Sequence, residues 1–527
     1  MTAARHILTR ILAPARILAR ARNLGAHCAP LFSRTPTPRD IPSPATSIPA
    51  PATSTPTLRG ISTPTKNTAA PASNLRGIFV PATSTPTPRD IPSPAKSLPT
   101  PAISTPARRP GAALSAPALM RALPALAFLL PALFIACSNG EPTSPYEHPE
   151  LDYIPLDDSR YPYAGLPRLV IETANRRAIA DCETEVPARA QIWGATAPEG
   201  DITALTIRGR GNSSWDMPKK SYKIEFAQKQ PVLDMPANRD WALIANYADK
   251  SMLKNFLMFK LSSALGLYYT PRNAFVELYI NKSYYGVYQL TETIKVDENR
   301  VNIPKEGNSY LAELDFNHKD DEPFVTTSLE MPIRIHSPKN ASDSVIAAFS
   351  KQIDNFESYL VNRQTSDSVG LEKWLAVDDY IKHFWIQEFS RNNDAAFYSS
   401  IYFSWIENGP IRMGPVWDFD LAFGGHKIDS LNTPEGWLAR DLLWNHFLFK
   451  DSSFVSRLND FWAQNRHQFA AVLDTIDVYS SALAMAASNN YRRWDVLTTT
   501  YDDAIDELKA WIQRRSAWID QQVLPGD

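Results

Sequence analysis

Cysteine is nearly absent: 527 residues hold only Cys28, Cys137 and Cys182. Three cysteines cannot form a disulfide framework for a chain this long, so stability has to come from a large core. No Cys/His cluster has the spacing of a zinc site. Net charge is missing too, at −2. That removes the global field that a nucleic-acid partner or an anionic membrane surface would call for. The apolar run Ala122–Ala136, at about 15 residues, is too short for a comfortable membrane span. Composition is uneven. Prolines are concentrated before residue 120, whereas the tryptophans and tyrosines lie after it, and only the later part has the aromatic and β-branched patterns of a packed core.

Residues 33–109 are built from Thr, Pro, Ser and Ala with scattered Arg, and TPTPRDIPSPA occurs twice, at Thr35–Ala45 and Thr85–Ala95. Such repeats bury almost nothing and stay extended or disordered. After them comes MRALPALAFLLPALFIAC, Met120 to Cys137. Arg121 supplies a positive start, and the apolar stretch ends in a small residue just before cysteine. This resembles the lipobox of bacterial lipoproteins, with Phe134 where Leu is commonest. The resemblance implies an exported chain lipidated at Cys137 and anchored to the cell envelope, at an outer membrane or the cell surface. Met120 then reads as the natural start and residues 1–119 as an over-extended gene start. Residues 138–164 form a polar, Pro-containing tether.

Residues 165–523 alternate strand-like and helix-like patterns without a clear linker and read as one α+β domain. In Ile202–Phe226 a strand leads to a Gly-Asn-Ser-Ser turn, and a second strand puts Tyr222, Ile224 and Phe226 on one face. The loop between carries Arg208, Arg210, Lys219 and Lys220, fixed positive charge beside open backbone N–H groups, which is chemistry suited to phosphate. A solvated basic turn has the same composition. Helical spacing of Leu253, Phe256, Leu257, Lys260 and Leu261 predicts a core helix, with Asp249 or Ser251 as cap and Gly266 as stop. Phe275–Glu292 reads as a hairpin around Asn281-Lys282-Ser283, with Gly286 marking a bulge or a close approach. Glu292 ends its second strand, facing either a cleft or solvent.

The block Glu372–Gly425 carries the most chemistry. An apolar helix through Val377, Ile381, Phe384, Trp385 and Phe389 gives way to Arg391-Asn392-Asn393-Asp394. Strands are expected over Phe397–Trp405 and Ile411–Val416, and the second runs into Asp418-Phe419-Asp420. That hairpin predicts Asp394 close to Asp418 and Asp420, the last two on one side of an extended backbone. Three converging carboxylates repel unless a cation neutralises them, and hard oxygen donors suit Mg²⁺, Mn²⁺ or Ca²⁺. The plainer alternative pairs these acids with Arg391 or Arg412.

The order of RGRGNSSWDMPKKSYKIEF, LIANYADKSMLKNFLMFKL, YYGVYQLTETI, YLAELDF and GPVWDFDLAFGG resembles the CotH (spore coat protein H) family of atypical, kinase-like proteins, over roughly residues 165–522. The resemblance implies an atypical protein-kinase-like fold, with strands in hairpins and a helical C-terminal part. It also implies a nucleotide site using ATP with Mg²⁺ or Mn²⁺. Carried onto this chain, Asp394 is the catalytic residue that orients the acceptor hydroxyl and Asp418 the metal ligand, with Asp420 an additional one. Arg210 and Lys220 or Lys223 would hold phosphates, and Glu292 falls where the family has a glutamate, as nucleotide contact or structural residue. The chain departs from ordinary kinases in having Ala395–Ser400 where an asparagine would hold a second metal, and no typical Gly-rich loop. The expected function is therefore an exported phosphotransferase acting on a hydroxyl of an envelope or surface protein, or of a glycan. The alternative is a non-catalytic surface module with Tyr284, Tyr285 and Trp437 as an exposed aromatic platform.

Overall fold

Seven β-strands build the first half of the domain. The computed structural model describes Leu156 and residues 158–195, 200–316, 323–363, 368–394, 398–426 and 431–524. Cys137, the segment before it and most of the tether lie outside the described residues. The strands β1 (Arg168–Thr173), β2 (Val186–Trp193), β3 (Thr203–Arg210), β4 (Ser221–Val232), β5 (Met235–Ile244), β6 (Asn273–Ile280) and β7 (Ser283–Glu292) form a closed barrel in the order β1-β2-β3-β4-β5-β7-β6. Parallel pairing of β1 with β6 closes it, so no edge is left unpaired. Leu169, Ile171, Leu205, Ile207, Ile224, Trp241, Leu243, Leu278 and Leu290 fill its core. Each such side chain contributes roughly 1.5–3 kcal/mol by leaving water. As the alternation predicts, Tyr222, Ile224 and Phe226 are buried.

The second half is a five-stranded sheet and helices. Strands β8 (Ser309–Leu314), β9 (Phe324–Thr326), β10 (Pro332–Ser337), β11 (Ile401–Ile406) and β12 (Arg412–Met413) run in the order β12-β11-β8-β10-β9. Around them lie α1 (Lys254–Ala264), α2 (Asp343–Asn362), α3 (Ser368–Trp374), α4 (Val377–Ser390), α5 (Leu443–Leu448), α6 (Ser452–Arg493) and α7 (Tyr501–Val523). The expected mixture of helices and strands is present. The hairpin before Asp418 is shorter than its apolar runs suggest: only Phe403 and Ser404 of β11 pair with β12, and Pro415, which has no N–H, lies just beyond.

A cap starts α1, and a glycine brings the barrel against α6. Asp249 accepts the Lys254 N–H at 2.8 Å and Ser251 the Leu253 N–H at 3.2 Å, so both candidate caps serve the start of α1. Gly286 (φ 99) lies where a Cβ would come within 2.4 Å of Asn490 Oδ1, so its role is a close approach of the barrel to α6. Helix α6 is long and apolar enough to cross a membrane by composition. Its stripe Phe454, Leu458, Trp462, Phe469, Val472, Ile476 and Leu483 instead packs into the protein core.

Candidate functional site

The site is assembled where the loop leaving α4 meets the run that follows β12. Arg391 ends α4 with a left-handed backbone (φ 44), and its guanidinium donates to the carbonyls of Glu435 and Gly436. Asn392 Nδ2 then donates to the Asp418 carbonyl at 3.0 Å and to Gln387 Oε1 at 3.1 Å. Asp394 is buried, and its own carbonyl accepts the N–H groups of Tyr398 and Ser399. On the other side the Phe419 N–H donates to Asn255 Oδ1 of α1 at 2.8 Å, and Phe419 is fully buried. Asp418 and Asp420 therefore sit on a backbone pinned from both sides.

Their approach is not that of an extended strand. Asp418 is left-handed (φ 64), so the pleat argument fails; the turn, not alternation, brings the Asp418 and Asp420 carboxyls within hydrogen-bonding reach. The Asp420 carboxyl is pushed well above its ordinary range. Burial is the largest cause, followed by the charge and hydrogen bond of Asp418 and the charge of Asp394, with the Lys254 ammonium opposing them. Lys254 is buried, donates to the Ala422 carbonyl at 2.7 Å, and is held below its ordinary value by desolvation against the pull of Asp249 and Asp420. Neither expected arginine neutralises the acids: Arg412 pairs with Asp379, and Arg391 is turned to carbonyls.

A buried carboxyl held beside a second one is a donor set that a divalent cation can occupy. Among the described residues no three His, Cys, Asp or Glu side chains group as a metal cage, so the predicted three-carboxylate convergence is not a closed ligand set. Mg²⁺ is ordinarily held by one or two carboxylates together with substrate phosphates, and Asp418 with Asp420 fits that requirement.

Of the cations in the basic loop, Arg210 is the one whose charge interacts with Asp418. Its guanidinium lies over the Trp417 ring, 5.1 Å from the centroid. Desolvation lowers its pKa, against the charges of Tyr402, Asp418 and Glu313. The others turn elsewhere. Lys219 is buried and donates to the carbonyls of Ala245 (2.8 Å) and Val287 (2.5 Å) and to Asn490 Oδ1 (2.9 Å). Lys220 donates to the Trp215 carbonyl and lies over that ring. Lys223 pairs with Glu225 at 3.1 Å and Asp240 at 2.9 Å. Glu292 is fully buried, bound to Arg272 Nη1 at 2.9 Å and the Tyr269 hydroxyl at 3.1 Å, the arrangement of a structural acid. The proposed aromatic platform is absent: Tyr284 is buried, Tyr285 is half-buried, and half-buried Trp437 packs on Trp385 and Trp518.

Lys254, Asn255, Asn392 and Glu313 complete the surroundings without having been singled out from their spacing as site residues, together with Ser400 of the stretch that replaces the kinase asparagine. A lysine and an asparagine inside an otherwise apolar helix start were the available signal for the first two. The model of the CotH kinase protein family matches residues 207–519, more than half of the chain. The chain belongs to that family and is a kinase-like protein. No curated protein matches it.

Proposed function

We propose that this chain is a metal-dependent phosphotransferase with an atypical kinase-like fold, exported and held to the envelope by lipid on Cys137. It would move the γ-phosphoryl group of ATP to a hydroxyl on an envelope or surface protein. The observation that carries the reading is the buried Asp420 carboxyl beside Asp418, whose charge also acts on the Arg210 guanidinium over Trp417. Asp418 and Asp420 are the residues to hold Mg²⁺ or Mn²⁺, which when bound neutralises phosphate charge. Arg210 offers a planar donor fork to phosphate oxygens. Asp394 orients the acceptor hydroxyl and takes its proton. Asn392 and Asn255 keep the backbone of Asp418 and Phe419 in place.

The test uses two measurements. Purified protein should gain heat stability with ATP and Mn²⁺ together, and Asp418→Asn should abolish the gain while its side chain tolerates the left-handed backbone. Labelled ATP incubated with protein and an envelope extract should yield transferred label, reduced about 10²-fold or more by Asp394→Asn. No stability gain in the wild-type protein sinks the reading; binding without transfer leaves a nucleotide-binding pseudokinase.

A further inference from the structure

Ser400 and Asp418 have left-handed backbones (φ 60 and 64), as do Arg391 and Phe423 in the same two loops (φ 44 and 51). Left-handed backbone is costly for residues with a Cβ, and it persists where surrounding structure over-determines it. Ser400 is the instructive case. It lies just before β11, it is buried, and nothing in a strand entry requires a left-handed serine. Its N–H donates to Glu313 Oε1 at 3.0 Å, and its hydroxyl donates to Asp418 Oδ2 at 3.4 Å.

Glu313 has no task in the reaction as described. It lies one residue from the end of β8, 5 % exposed, directly across the ladder from Tyr402. Its neighbours Ala312 and Leu314 point into the apolar core, so the pleat turns Glu313 to the opposite face, toward the site. There His336 Nε2 meets Oε2 at 2.7 Å, and the Tyr402 hydroxyl faces the same carboxylate. The carboxylate is thus fixed from β10 and β11 before it receives the Ser400 N–H.

We infer that Glu313 and Ser400 form a positioning device for Asp418: the buried carboxylate holds Ser400 in its left-handed conformation, so that the hydroxyl fixes one oxygen of Asp418 and leaves the other directed to the cation. The inference rests on the metal-dependent nucleotide site proposed above. Partners that orient a ligating group in this way commonly control metal affinity more than fold stability.

Glycine adopts the left-handed conformation freely, which separates the two roles of Ser400. Ser400→Gly loses the hydroxyl but relieves the backbone, so the ligand-free variant should melt no lower than the wild-type protein. At saturating ATP it should need about tenfold more Mn²⁺ for half-maximal stabilisation. Glu313→Leu should raise the Mn²⁺ requirement likewise, whereas Glu313→Gln, whose amide oxygen still accepts the Ser400 N–H, should restore most of it. An unchanged Mn²⁺ midpoint in Ser400→Gly overturns the positioning role while leaving the nucleotide site standing. A wild-type protein that does not respond to Mn²⁺ and ATP overturns both.

Discussion

Single buried side chains in this domain set its response to acid. His383 lies inside α4, 6 % exposed, with Gln387 Nε2 3.3 Å from its own Nε2. Burial alone pulls its pKa from 6.5 to about 4. The folded protein therefore keeps this imidazole neutral where the unfolded chain would protonate it. A base with a lowered folded pKa stabilises the fold above the unfolded value, and that contribution is lost as pH falls from about 6.5 toward 4. Between about pH 7 and pH 5 the loss from His383 is about 2 kcal/mol. His383→Gln, compared with the wild-type protein by urea denaturation at those two pH values, should remove that part of the acid sensitivity. Parallel losses in the two proteins would show that His383 does not carry it.

At the scale of elements, the contact between β7 and α6 is made by a residue with no side chain. Gly286 lets Asn490 reach the barrel, where its Oδ1 accepts both the Val287 N–H (3.1 Å) and Lys219 Nζ (2.9 Å). Gly286→Ala meets a positive φ and a 2.4 Å clash at once, and it would push Asn490 off a buried lysine. The expected cost is about 2 kcal/mol or more, read as a lowered denaturation midpoint with an unchanged slope. This position was legible in sequence because a glycine interrupting an alternating run has few explanations. The face of β4 was equally legible, from its period of two. The hairpin before Asp418 was only partly so. Apolar runs mark what is buried, but Ile411 and Met413–Val416 are buried while only Arg412, itself exposed, and Met413 pair with β11. The basic loop misled for a related reason. Composition counts charges, whereas strand register decides their direction, and β4 sends Lys223 to Glu225 and Asp240 instead of the site. Glu313 gave no signal of its own, since a carboxylate within YLAELDF reads as a solvent-facing strand residue until β11 and the left-handed Ser400 are placed against it.

At the scale of the whole molecule the question is where this domain works. Its first described residues lie against the end of α6 next to the barrel: Asn489 Nδ2 donates to the Pro162 carbonyl and Arg492 to that of Arg160. Upstream, a positive start, a short apolar run and Ala136-Cys137 form the pattern from which export and lipidation are proposed. Ser138 after the cysteine suits outer-membrane or surface placement where a cell has two membranes. That placement bears on the chemistry, because ATP is scarce outside the cytoplasm. On the proposed reading, an anchored enzyme would meet ATP in a special setting or draw on another phosphoryl donor that offers the same oxygens to Arg210. The anchor itself is testable without the reaction. Expressed from Met120 in a bacterial host, the wild-type protein should incorporate labelled fatty acid and partition with membranes. Cys137→Ser should take up no label and keep its leader, while the folded domain retains its melting behaviour. An N-terminal peptide from residues 33–109 in the mature protein would place the start upstream of Met120 and remove the basis for the lipobox reading.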